Sequence, residues 1–122
     1  MKYQEELNDW ISRLKETDKI IIVEGKNDKK ALESFGVSDI IILSKHPLYK
    51  IIEDVAQKNK KAIILTDIDK EGKKLYGKLS SGLGSMGVEI DNYFREFLIK
   101  KTKLSQIEGL DTYLLNNGVI LS

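Results

Sequence analysis

Apolar and polar residues along the chain follow two patterns, one typical of helices and one typical of buried strands. Apolar residues recur at helical spacing over residues 3–16 and predict an amphipathic helix. Four shorter, almost continuously apolar segments predict strands at residues 19–23, 40–43, 62–65 and 88–90. Because apolar residues do not alternate with polar ones in these segments, we expect both faces of the sheet to be covered.

Further helical stripes lie between the predicted strands. The first predicts a helix over residues 27–35, with Asn27 as its N-cap. The second begins at residue 48 and is closed by the lysines of residues 58–61, which favour the negative end of a helix dipole. A third helix is predicted from residue 70 or 71 to about residue 80.

The order of these elements predicts the fold class. Strands that alternate with helices, joined by right-handed crossovers, form a parallel, doubly wound sheet. We therefore predict one α/β domain over residues 1–122, with about four parallel strands and additional N- and C-terminal helices. Its core spans about residues 19–91, and residues 92–122 form a C-terminal helical extension.

Composition narrows the chemistry that is open to the chain. The 122 residues include no Cys, which excludes disulfides and thiol catalysis, and the single His46 argues against a His-rich metal site. No apolar run approaches the roughly 20 residues of a membrane span, and the N-terminus has no signal-peptide profile, so we expect a cytoplasmic protein. With a net charge of +1, nucleic acid would have to be held by a local patch or through a metal.

Two acidic segments directly follow the first and third predicted strands. One reads EGKND from residue 24, and the other reads TDIDKEG from residue 66. Ligands of doubly wound sheets bind at the carboxyl ends of the strands, where side chains distant in sequence meet. Three carboxylates meeting there would favour a hard divalent cation.

The carboxylates expected to share that cation are Glu24, Asp67 and Asp69. Asp67 and Asp69 lie two residues apart, so both face one side if the chain stays extended and Ile68 points into the core. Such a pair suits Mg²⁺, with Mn²⁺ as the alternative cation. Glu24 would face them from the neighbouring strand. Without a cation the three carboxylates repel one another, so at least one should have a raised pKa.

Other residues of these segments are predicted to support the site. Three lysines beside the strand ends are candidate contacts for substrate phosphates: Lys26, Lys45 and Lys70. Gly25 and Gly72 are expected to let a substrate backbone approach closely. Asp28 is expected to brace Lys26 or to act as an outer metal ligand.

Several alternative interpretations remain for these motifs. An isolated Asp-x-Asp after a strand is most often a turn or N-cap feature. Haloacid-dehalogenase phosphatases carry such a motif on their first strand, and response-regulator receivers need an acidic pair there, whereas here the first strand is followed by Glu24 and Gly25. The G-x-G-x-x-G string at residues 82–87 precedes a strand, unlike a dinucleotide fingerprint, and predicts a helix end and a loop.

Together, the two acidic segments resemble the Toprim domain of primases, topoisomerases, related nucleases and recombination mediators. That family has Glu-Gly after its first strand, often an Asp three residues beyond the Gly, and later a strand-borne Asp-x-Asp often followed by Gly. The matching residues are Glu24, Gly25, Asp28, Asp67, Asp69 and Gly72. The resemblance covers residues 20 to about 90 and implies that Glu24 is the catalytic glutamate, as general acid/base or metal ligand. It also implies that Asp67 and Asp69 hold Mg²⁺.

Within that family, the segments are most similar to small stand-alone Toprim proteins and to the ribonuclease that trims the precursor of the smallest ribosomal RNA. The chain differs from that ribonuclease at Ile68, where a Pro is usual, and in the loop of residues 44–47. Since that loop lies beside the predicted site, it bears on substrate choice.

The resemblance implies metal-dependent chemistry on nucleic-acid phosphodiesters. The favoured activity is hydrolysis or processing of RNA rather than DNA, with Mg²⁺ as the cofactor. The first alternative is a non-catalytic module that binds nucleic acid or protein in recombination, repair or RNA processing. The second is nucleotidyl transfer of the primase kind. Protein partners and a homodimer remain open, and no membrane association is predicted.

Overall fold

The computed structural model describes residues 2–120 as six α-helices, four β-strands and two short 3-10 turns. In chain order these are α1 (Tyr3–Glu16), β1 (Ile20–Val23), α2 (Lys26–Glu33), β2 (Ile40–Ile42), a 3-10 turn (Leu43–Lys45), α3 (Leu48–Lys58), β3 (Lys61–Ile64), α4 (Lys70–Ser85), β4 (Glu89–Ile90), α5 (Tyr93–Lys101), a 3-10 turn (Ile107–Gly109) and α6 (Leu110–Asn116). Within this range, no helix combines the length and the apolarity needed to cross a bilayer.

The four strands form one parallel sheet in the order β2-β1-β3-β4, which confirms the predicted fold class. The chain passes from β1 to its neighbour β2 and then crosses to β3 on the opposite side of β1. This reversal of direction makes the carboxyl ends of β1 and β3 the topological switch point of the sheet. In sheets of this kind the crevice at the switch point is the usual ligand site.

Each face of the sheet carries its own apolar core, which explains why consecutive residues of the central strands are apolar rather than alternately apolar and polar. Ile21 and Ile63 pack with residues of α1, α2, α5 and α6 on one face. Ile22 and Ile64 pack with residues of α3 and α4 on the other. On the first face Trp10 is fully buried, and its indole Nε1–H donates to the Phe94 carbonyl (3.0 Å).

The sequence pattern predicted the elements well but misplaced several of their ends. Helix α1 has the predicted bounds. Helix α2 begins earlier than predicted, with Gly25 rather than Asn27 as its N-cap. Strand β2 ends at Ile42, so the predicted loop begins with a 3-10 turn. Helix α4 continues to Ser85, and thus the first part of the glycine-rich string is helical, while Gly87 follows it at a φ of +86°.

Candidate functional site

Glu24 and Asp67 meet at the switch point of the sheet. Glu24 directly follows β1, and Asp67 lies three residues after the end of β3. The backbone N–H of Asp67 donates a hydrogen bond to Glu24 Oε2 (2.7 Å). The structure therefore brings together two of the three predicted catalytic residues, through the backbone of Asp67, because their strands are neighbours in a parallel sheet.

The C-terminal part of the chain fixes the conformation of Asp67. Its side-chain Oδ1 accepts a hydrogen bond from the backbone N–H of Ile107 (2.8 Å). Its carbonyl oxygen accepts one from Arg95 Nη2 (2.9 Å). The next residue, Ile68, donates its N–H to the Ser105 carbonyl (2.7 Å). These contacts tie the acidic segment to α5 and to the second 3-10 turn.

Asp69 is the N-cap of α4, where its side-chain Oδ1 accepts the backbone N–H of Gly72 (2.7 Å). An Asp at this position satisfies a helix-terminal N–H and favours the positive end of the helix dipole. The N-cap role considered as an alternative for this motif is therefore present, and it uses one oxygen of Asp69. Its other oxygen accepts no hydrogen bond from the residues that the structure describes.

Burial and mutual repulsion act in the same direction on three carboxyl groups of the site. Desolvation by burial raises the pKa of Glu24, of Asp28 and of Asp67 above the ordinary value for each residue type. Hydrogen bonds from backbone N–H groups lower these pKa values, and neighbouring carboxylates raise them. Glu24 is affected by Asp28, Asp67 and Asp69, while Glu108 adds to the repulsion on Asp28 and Asp67. The charges are therefore close enough to oppose one another's ionisation.

The donor chemistry of the site fits a hard cation, although a finished set of ligands is not pre-formed. Over residues 2–120, no three His, Cys, Asp or Glu side chains are grouped closely enough to hold a metal ion. Glu24, Asp67 and Asp69 each use one carboxylate oxygen to accept a backbone N–H. In the described part of the chain, their second oxygens accept no hydrogen bond. Charged oxygens of this kind are the ligands that Mg²⁺ prefers.

The three lysines predicted to contact phosphate lie in exposed positions near the carboxyl ends of the strands. Lys26 is the first residue of α2, Lys45 ends the 3-10 turn after β2, and Lys70 is the first residue of α4. Among the described residues none of the three forms an ion pair. Their role in binding phosphate stays a prediction.

Asp28 and Gly72 each have a structural role that the sequence analysis did not predict. Asp28 is only 7% exposed, and its Oδ2 accepts the backbone N–H of Gly25 (3.0 Å), so it caps α2 instead of bracing Lys26. At Gly72 a Cβ atom would lie 1.9 Å from the carbonyl oxygen of Asp67. The glycine is therefore needed so that α4 can pack against the backbone of Asp67. Its role in the approach of a substrate stays a prediction.

Arg95 is a site residue that the sequence analysis missed. It is 6% exposed, and its guanidinium carbon lies 4.8 Å from the centre of the Tyr76 ring. Its Nη2 binds the Asp67 carbonyl, while its Nε has no hydrogen-bond partner in the described structure. Burial lowers the pKa of Arg95, whereas Tyr76 and nearby carboxylates, including Glu24, raise it. The sequence offered one indication of this role: Arg95 lies among the apolar residues of α5 that are buried, Phe94 and Leu98.

We expect Arg95→Met to destabilise the metal-free protein by about 3 kcal/mol, because the Asp67 carbonyl loses its donor and the carboxylates lose a nearby positive charge. Thermal unfolding in EDTA measures this loss. It should be smaller in an Asp69→Asn background, where one of the opposing negative charges is already absent. Arg95→Lys, which keeps the charge, should lose less. Equal losses in both backgrounds would mean that Arg95 stabilises the protein through the carbonyl hydrogen bond and packing, and not through its charge.

The raised carboxyl pKa values predict how stability depends on pH. Because the folded state binds protons more readily than the unfolded state, the metal-free protein gains stability as pH falls from neutral towards the ordinary carboxyl range. Asp67→Asn should reduce this gain. At neutral pH, Mg²⁺ should stabilise the protein instead, because it offsets the same carboxylate repulsion. Urea midpoints at pH 7.5 and 5 in EDTA measure the effect, with Asp111→Asn as the control. An unchanged pH dependence in Asp67→Asn would contradict the prediction.

Comparison with known proteins places the chain in a family. The sequence profile of the Toprim domain matches residues 19–107, a range that includes the acidic segments and also Arg95 and Ile107. A solved structure of a protein from Aquifex aeolicus superposes with a TM-score of 0.77 at 37% sequence identity, covering 82% of this chain and 94% of that one. The similarity to known proteins therefore holds for the three-dimensional fold as well as for the sequence.

Two relatives narrow the assignment. A UPF0292 protein of Methanocaldococcus jannaschii is 34% identical over 119 residues, which cover 93% of each chain. A UPF0292 protein of Pyrococcus abyssi is 39% identical over 103 residues, covering 82% of this chain and 77% of the relative. Toprim domains commonly bind Mg²⁺, which agrees with the donor chemistry described above. The chain belongs to the Toprim domain family and, within it, to the UPF0292 proteins.

Proposed function

We propose that the protein is a Mg²⁺-dependent nuclease that hydrolyses phosphodiester bonds, with RNA as the favoured substrate. The observation that carries this proposal is the joining of Glu24 and Asp67 at the switch point by a 2.7 Å hydrogen bond. This contact puts a carboxylate with a raised pKa beside an Asp-x-Asp pair whose outer oxygens are available for a cation. Carboxylates with shifted pKa values in a crevice are candidates for acid/base chemistry.

In this mechanism the three carboxylates have different tasks. Asp67 and Asp69 would hold Mg²⁺, which when bound supplies positive charge against the charge that develops on the phosphate oxygens. Glu24 would accept a proton from the attacking water, and a pKa raised towards the working pH makes a carboxylate a better general base. The Asp67 N–H holds Glu24 by Oε2 and leaves Oε1 for this proton. Lys26, at the start of α2, would orient the phosphate.

Arg95 would act on this chemistry indirectly. It holds the backbone of Asp67 in place through the carbonyl contact, and Ile107 orients the carboxylate through its N–H. Both contacts fix Asp67 before a cation arrives, which reduces the reorganisation that catalysis requires. Arg95 is thus a positioning residue, since it touches neither substrate nor metal in this account.

A non-catalytic nucleic-acid or protein-binding module is the second candidate function. It is favoured by the finding that residues 2–120 contain no pre-formed group of three metal-ligating side chains. In that case the carboxylates would bind a cation only when a partner's groups complete the site. Binding without cleavage distinguishes this function from that of a nuclease.

A substrate panel tests the proposal. Structured precursor-like RNA, single-stranded RNA and DNA of the same sequence are end-labelled and incubated with the protein in Mg²⁺, in Mn²⁺ or in EDTA. The nuclease proposal predicts cleavage with either cation, none in EDTA, and a preference for RNA. Binding of these substrates without cleavage under any condition would favour the binding module. Cleavage that persists in EDTA would contradict a metal-dependent mechanism.

A further inference from the structure

A groove of about 520 Å³ runs along the outer edge of β2, beside α3. β2 is the end strand of the sheet, so no strand formed by residues 2–120 covers its outer edge. Apolar side chains from the strands and from α3 line the groove, among them Ile41, Ile51 and Val55. The site carboxylates Glu24, Asp28, Asp67 and Asp69 do not line it, and Lys45 is the one residue of its lining that was also predicted for the carboxylate site.

The groove carries an excess of positive charge. Lys29, Lys45 and Lys58 line it, and none of them forms an ion pair among residues 2–120. The single acidic residue of its lining, Asp54, already pairs with Lys50 (3.4 Å). The protein as a whole has a net charge of only +1, so this excess is local. A local cationic groove attracts a polyanion where the bulk charge does not.

One end of the groove adjoins the carboxylate site. Lys45 belongs to the turn that follows β2, and in the same turn the backbone N–H of Ser44 donates to the Glu24 carbonyl (3.1 Å). Lys58 marks the opposite end, because it is the last residue of α3. At a rise of 1.5 Å per residue, the 11 residues of this helix span about 16 Å. The groove therefore leads away from Glu24 along the side of the domain.

We propose that this groove holds a single strand of nucleic acid that extends from the carboxylate site, with Lys29, Lys45 and Lys58 against its phosphates. This inference rests on the proposed function, since the groove would hold the part of the nucleic-acid substrate that extends beyond the carboxylate site. The apolar floor favours a single strand, because a duplex hides its bases and offers mainly phosphates to such a surface. An acidic peptide added to the edge of β2 fits less well, since the three-residue strand offers few backbone hydrogen bonds.

Fluorescence anisotropy tests the groove without requiring cleavage. A labelled ten-nucleotide RNA and a DNA of the same sequence are titrated with protein in EDTA at several salt concentrations. The variant Lys29→Gln/Lys58→Gln should bind both strands at least tenfold more weakly. It should also reduce the salt dependence, with the slope of log K against log[salt] falling by about 1.4, because two phosphate contacts are lost.

The charge-matched control is Lys78→Gln/Lys100→Gln, which removes two exposed lysines outside the groove. It should bind as the wild type does. Any of three results would overturn the groove proposal. The two double variants could have equal effects, neither strand could bind, or the protein could capture a hexaglutamate peptide in place of both strands. Groove-dependent binding without cleavage would contradict the nuclease proposal alone. Cleavage that is insensitive to Lys29→Gln/Lys58→Gln would contradict the groove alone.

Discussion

Replacing Glu24 with Gln is expected to reduce Mg²⁺-dependent RNA cleavage by about 10²- to 10⁴-fold, the usual contribution of a general base. Gln retains a side-chain oxygen that can accept the Asp67 N–H, so the local geometry should persist while the basic group is lost. Asp67→Asn should cause a loss of similar size, since it weakens the hold on the cation while its Oδ1 still accepts the Ile107 N–H.

Single-turnover cleavage of labelled RNA measures this loss, because it separates chemistry from product release. The matched control is Glu53→Gln, at an exposed position of α3, which should cleave at the wild-type rate. Melting temperatures should show that all three variants fold. In EDTA, the Glu24 and Asp67 variants should be at least as stable as the wild type, since each removes one repelling charge. A loss below tenfold in both would remove these carboxylates from the chemistry.

Gly72→Ala is expected to destabilise the protein by about 3 kcal/mol or more, because the added Cβ would lie 1.9 Å from the Asp67 carbonyl oxygen. The obstructing atoms belong to the backbone, so no flexible side chain can move aside. Relief of the clash must separate α4 from the acidic segment. In doing so it would also disturb the Asp69 cap and the hydrogen bond from Thr66 Oγ1 to the Gly72 carbonyl (2.7 Å).

The same helix provides the control for this prediction. Gly77 also lies within α4, but a Cβ there would meet nothing within 4 Å. Gly77→Ala should therefore stabilise the protein by about 0.5–1 kcal/mol, as expected for Gly to Ala in a helix interior. Differential scanning calorimetry should show a fall in melting temperature on the order of 10 °C for Gly72→Ala and a small rise for Gly77→Ala. A Gly72→Ala variant as stable as the wild type would contradict the packing described here.

The central features of the fold and site were predictable because they depend on local patterns. Almost continuously apolar runs predicted a sheet covered on both faces, and the alternation of strands with helices predicted parallel pairing. The proximity of Glu24 and Asp67 then followed from their positions after strands that became neighbours. These inferences use only the spacing of apolar residues along the chain and the right-handedness of strand-helix-strand crossovers.

The remaining features depend on contacts between distant parts of the chain. Arg95 and Ile107 fix Asp67 from 28 and 40 residues away, and no periodicity in the sequence reports such contacts. The sequence analysis placed the N-cap of α2 at Asn27, whereas Gly25 is the N-cap and its N–H donates to Asp28. Several neighbouring residues can cap this helix, and the sequence does not show which one does. The continuation of α4 to Ser85 shows tertiary packing overriding the low helix propensity of glycine.

Binding of Mn²⁺, monitored by the electron paramagnetic resonance signal of the free ion, tests the central claim most directly, since it asks whether the carboxylates at the switch point form one cation site. The wild-type protein should remove Mn²⁺ from solution in a saturable manner, and Mg²⁺ should displace it. Asp67→Asn and Asp69→Asn should each weaken the affinity at least tenfold, while the exposed control Glu53→Gln should leave it unchanged. Equal Mn²⁺ affinity in the wild type and both Asp variants, or no binding by the wild type at millimolar Mn²⁺, would contradict the account.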